Sequence, residues 1–196
     1  MMIQETMITN SRYLDLAWRG KYVFTPGTGN SQGCITLTNN DVTITDIEHV
    51  QNRGHYFKLT DMNNMQTLIV NIYAPLGYNN AKKEFFDNIL EVIANHDGEN
   101  VILGGDFNIT LTDMDSLRRR RTDAEKQIAE NINTRIAQNE LSDAFHEKNG
   151  YTWGRGETRS RLDRIFTRLP LYKHKNLDIS WTLAKSDHAA VILTLE

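Results

Sequence analysis

The run Leu68-Ile69-Val70-Asn71-Ile72-Tyr73 constrains the fold more than any other stretch of the chain. Its apolar character is nearly continuous rather than alternating, which predicts a strand covered on both faces. Pro75 stops it, because proline has no N–H to give a ladder. A strand over Gln66–Tyr73 is therefore expected, paired with Tyr56–Leu59 through the turn-rich Asp61-Met62-Asn63-Asn64. Downstream, Asn79 or Asn80 can cap a helix to about Asn95, with Phe85, Phe86, Ile89, Leu90 and Ile93 at helical spacing. Val101-Ile102-Leu103 reads as a short buried strand running into Gly104-Gly105. A second helix, from about Asp123 to Asn139, places Ile128, Ile132 and Ile136 on one stripe. Leu162–Thr167 and Ala189–Leu195 read as late strands. Strands interleaved with helices and hairpins predict a mixed α/β layered sandwich rather than a purely parallel fold.

The 196 residues fit one domain, with 39% hydrophobic and 24% charged residues typical of globular chains. Cys34 is the single cysteine, which excludes a disulfide framework and a cysteine-rich zinc site. No run approaches the roughly 18 apolar residues of a membrane span. Met1–Asn10 lacks the basic flank and apolar core of a signal peptide, so a soluble intracellular protein, cytoplasmic or nuclear, is expected. The net charge of −3 hides an asymmetry: Leu117–Lys175 holds 14 Lys and Arg against 8 Asp and Glu, and the remainder 8 against 17. Such a distribution suits a positive surface facing a polyanion beside an acidic cleft, and equally suits solvated helix faces.

Polar residues interrupt apolar strands at a few places. In Gly105-Asp106-Phe107-Asn108, glycine lets the chain turn at a strand end, so that Asp106 and Asn108 can share one cleft. A carboxylate and an amide oxygen suit Mg²⁺ or Mn²⁺, and an Asp-Asn turn is the plainer reading. In Ser186-Asp187-His188 the adjacent side chains point to different partners. Asp187 can ligate a metal and His188 can accept a proton. Asp163, flanked by apolar residues in Ser160-Arg161-Leu162-Asp163-Arg164-Ile165, needs a partner, for which an imidazolium or an arginine would serve. Glu5 says little in isolation. Tyr73 reads as a core aromatic or a donor to a phosphate oxygen.

Taken together and in this order, Gln4-Glu5-Thr6, Asn71-Ile72-Tyr73-Ala74-Pro75, Gly105-Asp106-Phe107-Asn108, Ser160-Arg161-Leu162-Asp163 and Ser186-Asp187-His188 resemble the motifs of the endonuclease/exonuclease/phosphatase superfamily. Tyr151-Thr152-Trp153 ahead of Ser160-Arg161-Leu162-Asp163-Arg164-Ile165 is most similar to the apurinic/apyrimidinic-type endonuclease domains of non-LTR, LINE-like retrotransposons. The resemblance implies a DNase I-like four-layer α/β sandwich of two packed mixed sheets. It implies a Mg²⁺- or Mn²⁺-dependent endonuclease that nicks DNA, and fusion to a reverse transcriptase in a longer protein. Carried over residue by residue, it makes Glu5, Asp106, Asn108 and Asp187 the metal site. Asp106 orients or deprotonates the water, with Asn108 holding the same region. His188, paired with Asp163, binds the scissile phosphate or acts as base, and Tyr73 helps the leaving oxygen.

Relative to that family the chain starts too close to Glu5 to include the usual first strand and its asparagine. A single domain over 1–196, truncated at its N-terminus and with an exposed sheet edge, is the expectation. For DNA contacts, Arg118 and Arg119 with their neighbours Arg120 and Arg121, and Arg155, Arg159, Lys173 and Lys175, are candidates for backbone phosphates, with Thr152 and Trp153 in the matching aromatic motif. Trp18 and Trp181 read as packing residues. Two other functions remain open at this point: a phosphodiesterase of the same fold acting on abasic sites or other substrates, and a catalytically dead nucleic-acid-binding remnant.

Overall fold

The computed structural model describes residues 1–98, 100–145, 150–169, 174–183 and 186–195, with 174 and 175 by backbone alone. The chain divides into two compact units, Met1–Tyr73 with His96–Asp106, and Ala74–Asn95 with Phe107–Glu196.

The first unit holds β1 (Met2–Gln4), α1 (Arg12–Ala17), β2 (Lys21–Thr25), β3 (Cys34–Thr38), β4 (Thr43–His49), β5 (Gly54–Thr60), β6 (Gln66–Tyr73) and β7 (Asn100–Asp106). β1 and β2 flank β3 in an antiparallel three-stranded sheet, which leaves β1 as an edge strand. β4, β5 and β6 form an antiparallel meander, and β7 joins β6 in parallel. Every residue of β6 from Thr67 to Tyr73 is buried, as its unbroken apolar run requires. Val23 of β2 packs on Phe57 of β5 and Ile69 of β6, with Met2, Ile44, Leu59 and Ile102 around them. The two sheets of this unit thus share a core, each fully buried side chain contributing about 2 kcal/mol.

β7 runs three residues beyond the expected Val101–Leu103, straight through Gly104-Gly105 to Asp106. The glycine is needed for close approach rather than for a turn. Gly105 has φ +139°, and a Cβ there would lie 2.0 Å from the Ile72 carbonyl oxygen of β6.

The second unit contains α2 (Asn80–Ala94), β8 (Ser116–Leu117), α3 (Asp123–Gln138), β9 (Ser142–Asp143), β10 (Trp153–Arg155), β11 (Thr158–Ser160), β12 (Asp163–Arg168), β13 (His174–Ser180) and β14 (Ala190–Leu195). Asn79 caps α2 by accepting from the Lys82 N–H, and Thr122 caps α3 by accepting from the Glu125 N–H. The helices bury Phe85, Phe86, Ile89, Leu90 and Ile93 on one side and Ile128, Ala129, Ile132 and Ile136 on the other. An ion pair from Arg135 to Asp87 at 3.1 Å joins them. The rings of Phe86, Phe107 and Phe166 stack in series with centroids 5.3 and 5.5 Å apart, tying α2 to β12. β10 and β11 form a hairpin flanked by β8, β12 pairs with β9, and β13 with β14. Among the described residues no helix is long and apolar enough to cross a membrane.

Candidate active site

In the first unit the parallel register sets Tyr73 of β6 beside Asp106 at the end of β7. β1 is stitched to the same strand by a side-chain bond, Gln4 Nε2 donating to Asn71 Oδ1 at 2.7 Å. Asn71 is fully buried and donates in turn to the Ile35 carbonyl at 3.0 Å and the Thr36 hydroxyl at 3.1 Å. With its oxygen accepting from Asn71, the Thr36 hydroxyl gives its proton to His55 Nε2, 2.7 Å away. The Thr25 hydroxyl gives its own proton to the Gly54 carbonyl at 3.1 Å and so accepts from His55 Nδ1–H at 2.8 Å, which fixes the tautomer of a histidine with no exposed surface. This polar thread holds the end of β1, from which Glu5 leaves with φ +52°, a left-handed backbone uncommon for glutamate.

Glu5 reaches the Tyr73 phenol. Burial raises that phenol to about 12, helped by the charge of Glu5, by the hydrogen bond it makes to Glu5 and by the charge of Asp106, while Arg53 pulls the other way. Arg53 lies over the Tyr73 ring at 5.3 Å. At neutral pH the phenol is therefore a donor, and two carboxylates act on it against one guanidinium. The Cys34 thiol is also pushed up to about 12 by burial, which rules it out as a thiolate nucleophile.

The second unit carries the other candidates. His188 Nδ1 lies 2.8 Å from Asp163 Oδ2, the two side chains being 26% and 15% exposed. A carboxylate accepts only, so Nδ1 holds the proton. Asp187, one residue away, serves a different partner: Trp153 Nε1 donates to its Oδ2 at 3.0 Å. Backbone bonds from Gly154 to the Asp187 carbonyl (2.9 Å) and from Ala189 to the Thr152 carbonyl (2.7 Å) clamp this segment to β10. Asn108 stands at φ +50°, with its Nδ2 donating to the Ala74 carbonyl at 3.0 Å.

Below Asp163 lies a buried ion network. Arg164 pairs with both Asp115 and Asp143, and Arg161 Nε lies 3.0 Å from Asp115 Oδ1. Asp115 also accepts from the Leu111 and Thr112 N–H groups at 2.9 and 2.8 Å. The arginines that flank Asp163 in sequence thus bind other carboxylates and leave Asp163 to His188.

Each unit thus carries its own oriented polar set, a protonated phenol in the first and a carboxylate-backed imidazole in the second. The model of the Endonuclease/Exonuclease/phosphatase family matches residues 1–188. The chain belongs to this family. Its mixed α/β architecture is that of the DNase I-like proteins. Over 100% of this chain and 88% of the other, it is similar to the 3′ phosphatase NExo from Neisseria, solved bound to a product DNA hairpin, with TM-score 0.76 and 18% identity. The endonuclease domain of TRAS1, a telomere-specific non-LTR retrotransposon, matches with TM-score 0.67 and 17% identity over 89% of this chain and 78% of that one. Among curated proteins, the uncharacterized 149 kDa protein of transposon TX1 from Xenopus laevis is 26% identical over 194 residues, 92% of this chain. The chain spans 14% of that relative's length.

Several side chains expected to face a nucleic acid in this family member are engaged elsewhere. Thr152 is fully buried, and its hydroxyl accepts from the N–H groups of Leu162 (3.0 Å) and Asp163 (2.9 Å). The expectation of a DNA-facing Thr152 is corrected by this burial, which makes it a support for Asp163. Arg119 holds the buried Glu125 through both Nη atoms, at 2.8 and 2.5 Å. Arg121 pairs with Asp113, and Arg118 with Glu157, the last two side chains being 61% and 80% exposed. Arg155 is exposed at the end of β10. Arg159 donates to the Gly156 and Thr158 carbonyls at 2.7 and 2.9 Å and lies 5.9 Å over the Trp181 ring. Trp181 is 44% exposed, so it is not the packing residue expected, whereas Trp18 packs against Leu14 and Leu37 as its apolar neighbours suggest. Lys173 lies outside the described residues, and Lys175 is described by backbone alone. Sequence reasoning passed over Arg53, Lys82 and Arg164. Arg164 carries a local signal, a cation inside a motif among apolar residues, whereas Arg53 and Lys82 stand among polar residues that give none.

Proposed function

We propose that this chain is a Mg²⁺-dependent DNA endonuclease, the nicking domain of a larger retrotransposon protein that also carries a reverse transcriptase. The observation that carries this reading is the Asp163–His188 pair, in which a carboxylate orients the imidazole through Nδ1. The transposon relative and the retrotransposon endonuclease fold support the choice of DNA and of nicking. Work on chromosomal DNA would place the protein in the nucleus.

The donor set fits the metal. Glu5, Asp106, Asn108 and Asp187 offer only carboxylate and amide oxygens, which suit Mg²⁺ or Mn²⁺ better than zinc. Two of these carboxylates, Glu5 and Asp106, already act on the same phenol, a concentration of negative charge that a cation would relieve. The bound cation would neutralise charge developing on the phosphate. In the chain's own part of the reaction, Asp106 orients the attacking water or takes its proton, and Asn108 fixes that region. His188 holds the scissile phosphate or serves as base. The Tyr73 phenol, kept protonated, donates to the leaving 3′-oxygen. Arg155, Arg159 and Arg118 neutralise backbone phosphates, with Trp153 close by. Arg118 reaches them by exchanging its exposed partner Glu157.

Nicking of supercoiled plasmid with Mg²⁺ tests the proposal, beside EDTA and Asp187→Ala controls. Nicking lost in both controls is the expected result. A folded protein that leaves intact plasmid untouched but cuts a duplex with one abasic site would replace this reading with an abasic-site endonuclease.

A further inference from the structure

Lys82, on the first turn of α2, has no exposed surface. Its ammonium Nζ donates to the backbone carbonyl of Asn108 at 2.5 Å. A fully buried lysine is rare unless its charge is compensated and its protons placed, and nothing in the chemistry above uses it. Its surroundings in the same unit are ordered in layers. The Tyr78 ring lies 5.3 Å from Lys82 Nζ and 6.0 Å from the Arg119 guanidinium, one aromatic ring serving two cations. Glu125, whose carboxylate is buried, accepts from Thr110 Oγ1 at 2.6 Å and from Arg119. Glu125 and Arg119 both bond to the Tyr78 phenol, whose pKa is raised chiefly by burial and by the charge of Glu125.

We infer that Lys82 is a positioning residue for Asn108, an assignment that rests on the reading of Asn108 as part of the reaction centre. Asn108 stands in the left-handed region, a conformation that persists where the surroundings over-determine it. Two contacts do so. Lys82 holds its carbonyl, and Ala74 accepts from its side-chain Nδ2, so both ends of the residue are fixed and Oδ1 is aimed in one direction. The Tyr78 ring, itself held by Glu125 and Arg119, gives the ammonium a π face to rest on. The residue is set from behind, through its main chain, by a cation that touches no substrate.

The test compares wild type, Lys82→Met and Lys82→Gln, glutamine keeping an N–H donor without the charge. Plasmid nicking should show kcat lowered ~10–100-fold in Lys82→Met with KM for DNA within twofold, and Lys82→Gln recovering most of the loss. Two NMR readouts are independent of activity. The Asn108 side-chain ¹⁵NH₂ pair should shift in Lys82→Met and stay in place in Lys82→Gln. In wild type, the Lys82 ¹⁵NH₃⁺ signal should exchange slowly with water and correlate with the Asn108 carbonyl carbon. A folded Lys82→Met with unchanged kcat and unchanged Asn108 signals overturns the assignment, as does a rise in KM with kcat preserved. If Lys82→Met does not fold, the wild-type ammonium signal decides, and its absence overturns the assignment. If wild type does not nick DNA, the proposed function fails while the NMR arms still judge Lys82.

Discussion

His188 Nδ1 and Asp163 Oδ2 are 2.8 Å apart, and the Asp163 N–H is itself held at 2.9 Å by the buried Thr152 hydroxyl. The imidazole is thus oriented by a carboxylate whose own backbone is anchored. Asp163→Asn keeps the shape but removes the charge and can turn either its oxygen or its NH₂ to Nδ1. The ring then loses the carboxylate that stabilises its protonated form, and its tautomer is no longer fixed. The expected result is kcat for nicking down by roughly 10² or more, with KM for DNA little changed. Single-turnover kinetics on supercoiled plasmid measures it, and activity within threefold of wild type would remove the pair from the mechanism.

Trp153 Nε1 donates to Asp187 at 3.0 Å. Trp153→Phe keeps the apolar body of the side chain and deletes that donor. If Asp187 serves the cation, the half-saturating Mg²⁺ concentration should rise roughly tenfold, with activity regained at high Mg²⁺. A rise in KM for DNA at unchanged Mg²⁺ dependence would assign the indole to the nucleic acid instead.

Arg119 and Arg155 separate structural from binding arginines. Arg119→Ala strands the fully buried Glu125 carboxylate, which should cost about 3 kcal/mol in urea unfolding. The exposed Arg155 should show the reverse. Arg155→Ala leaves stability within about 0.5 kcal/mol and lowers the slope of log affinity against log salt by ~1. Equal stability losses in the two variants would contradict the division.

His55 carries a pH signature. Burial, with the nearby His49, pulls its pKa down to about 3. In the unfolded chain a histidine titrates near 6.5, so below ~6.5 the unfolded state takes up a proton that the folded state refuses. Stability therefore falls as pH drops from about 6.5 towards 3, by about 1 kcal/mol per pH unit from this group. His55→Gln removes the titration while keeping a donor and an acceptor for Thr25 and Thr36. Urea unfolding at about pH 7, 6 and 5 should show a shallower loss in the variant, and identical slopes would refute the argument.

Local pattern carried much of the architecture. The apolar run of β6, the asparagine cap of α2 and the isoleucine stripe of α3 are short-range signals, and these elements lie where they were expected to within a residue or two. β4 was not legible. Thr43, Thr45, Asp46, Ile47, Glu48 and His49 are all exposed, so no buried face imposes a period of two. The motif residues were visible as polar interruptions of apolar strands, but their partners were not. Asp187 finds Trp153 34 positions away, and Gln4 finds Asn71 67 positions away. The basic run Arg118–Arg121 misled in a physical way. Charge in sequence says nothing of burial, and Arg119 was committed to a carboxylate inside the protein.

Gly105 and Asp106 read as one motif, yet they answer to different demands. A side chain at Gly105 would collide with the Ile72 carbonyl at 2.0 Å, so any replacement there opposes folding itself. The carboxylate of Asp106 answers, in the proposed reaction, to chemistry. A mutant library selected only for folded protein should retain glycine at 105 and admit asparagine at 106. The same library selected for nicking should retain both letters. Two neighbouring positions of equal invariance would then owe that invariance to two unrelated kinds of selection.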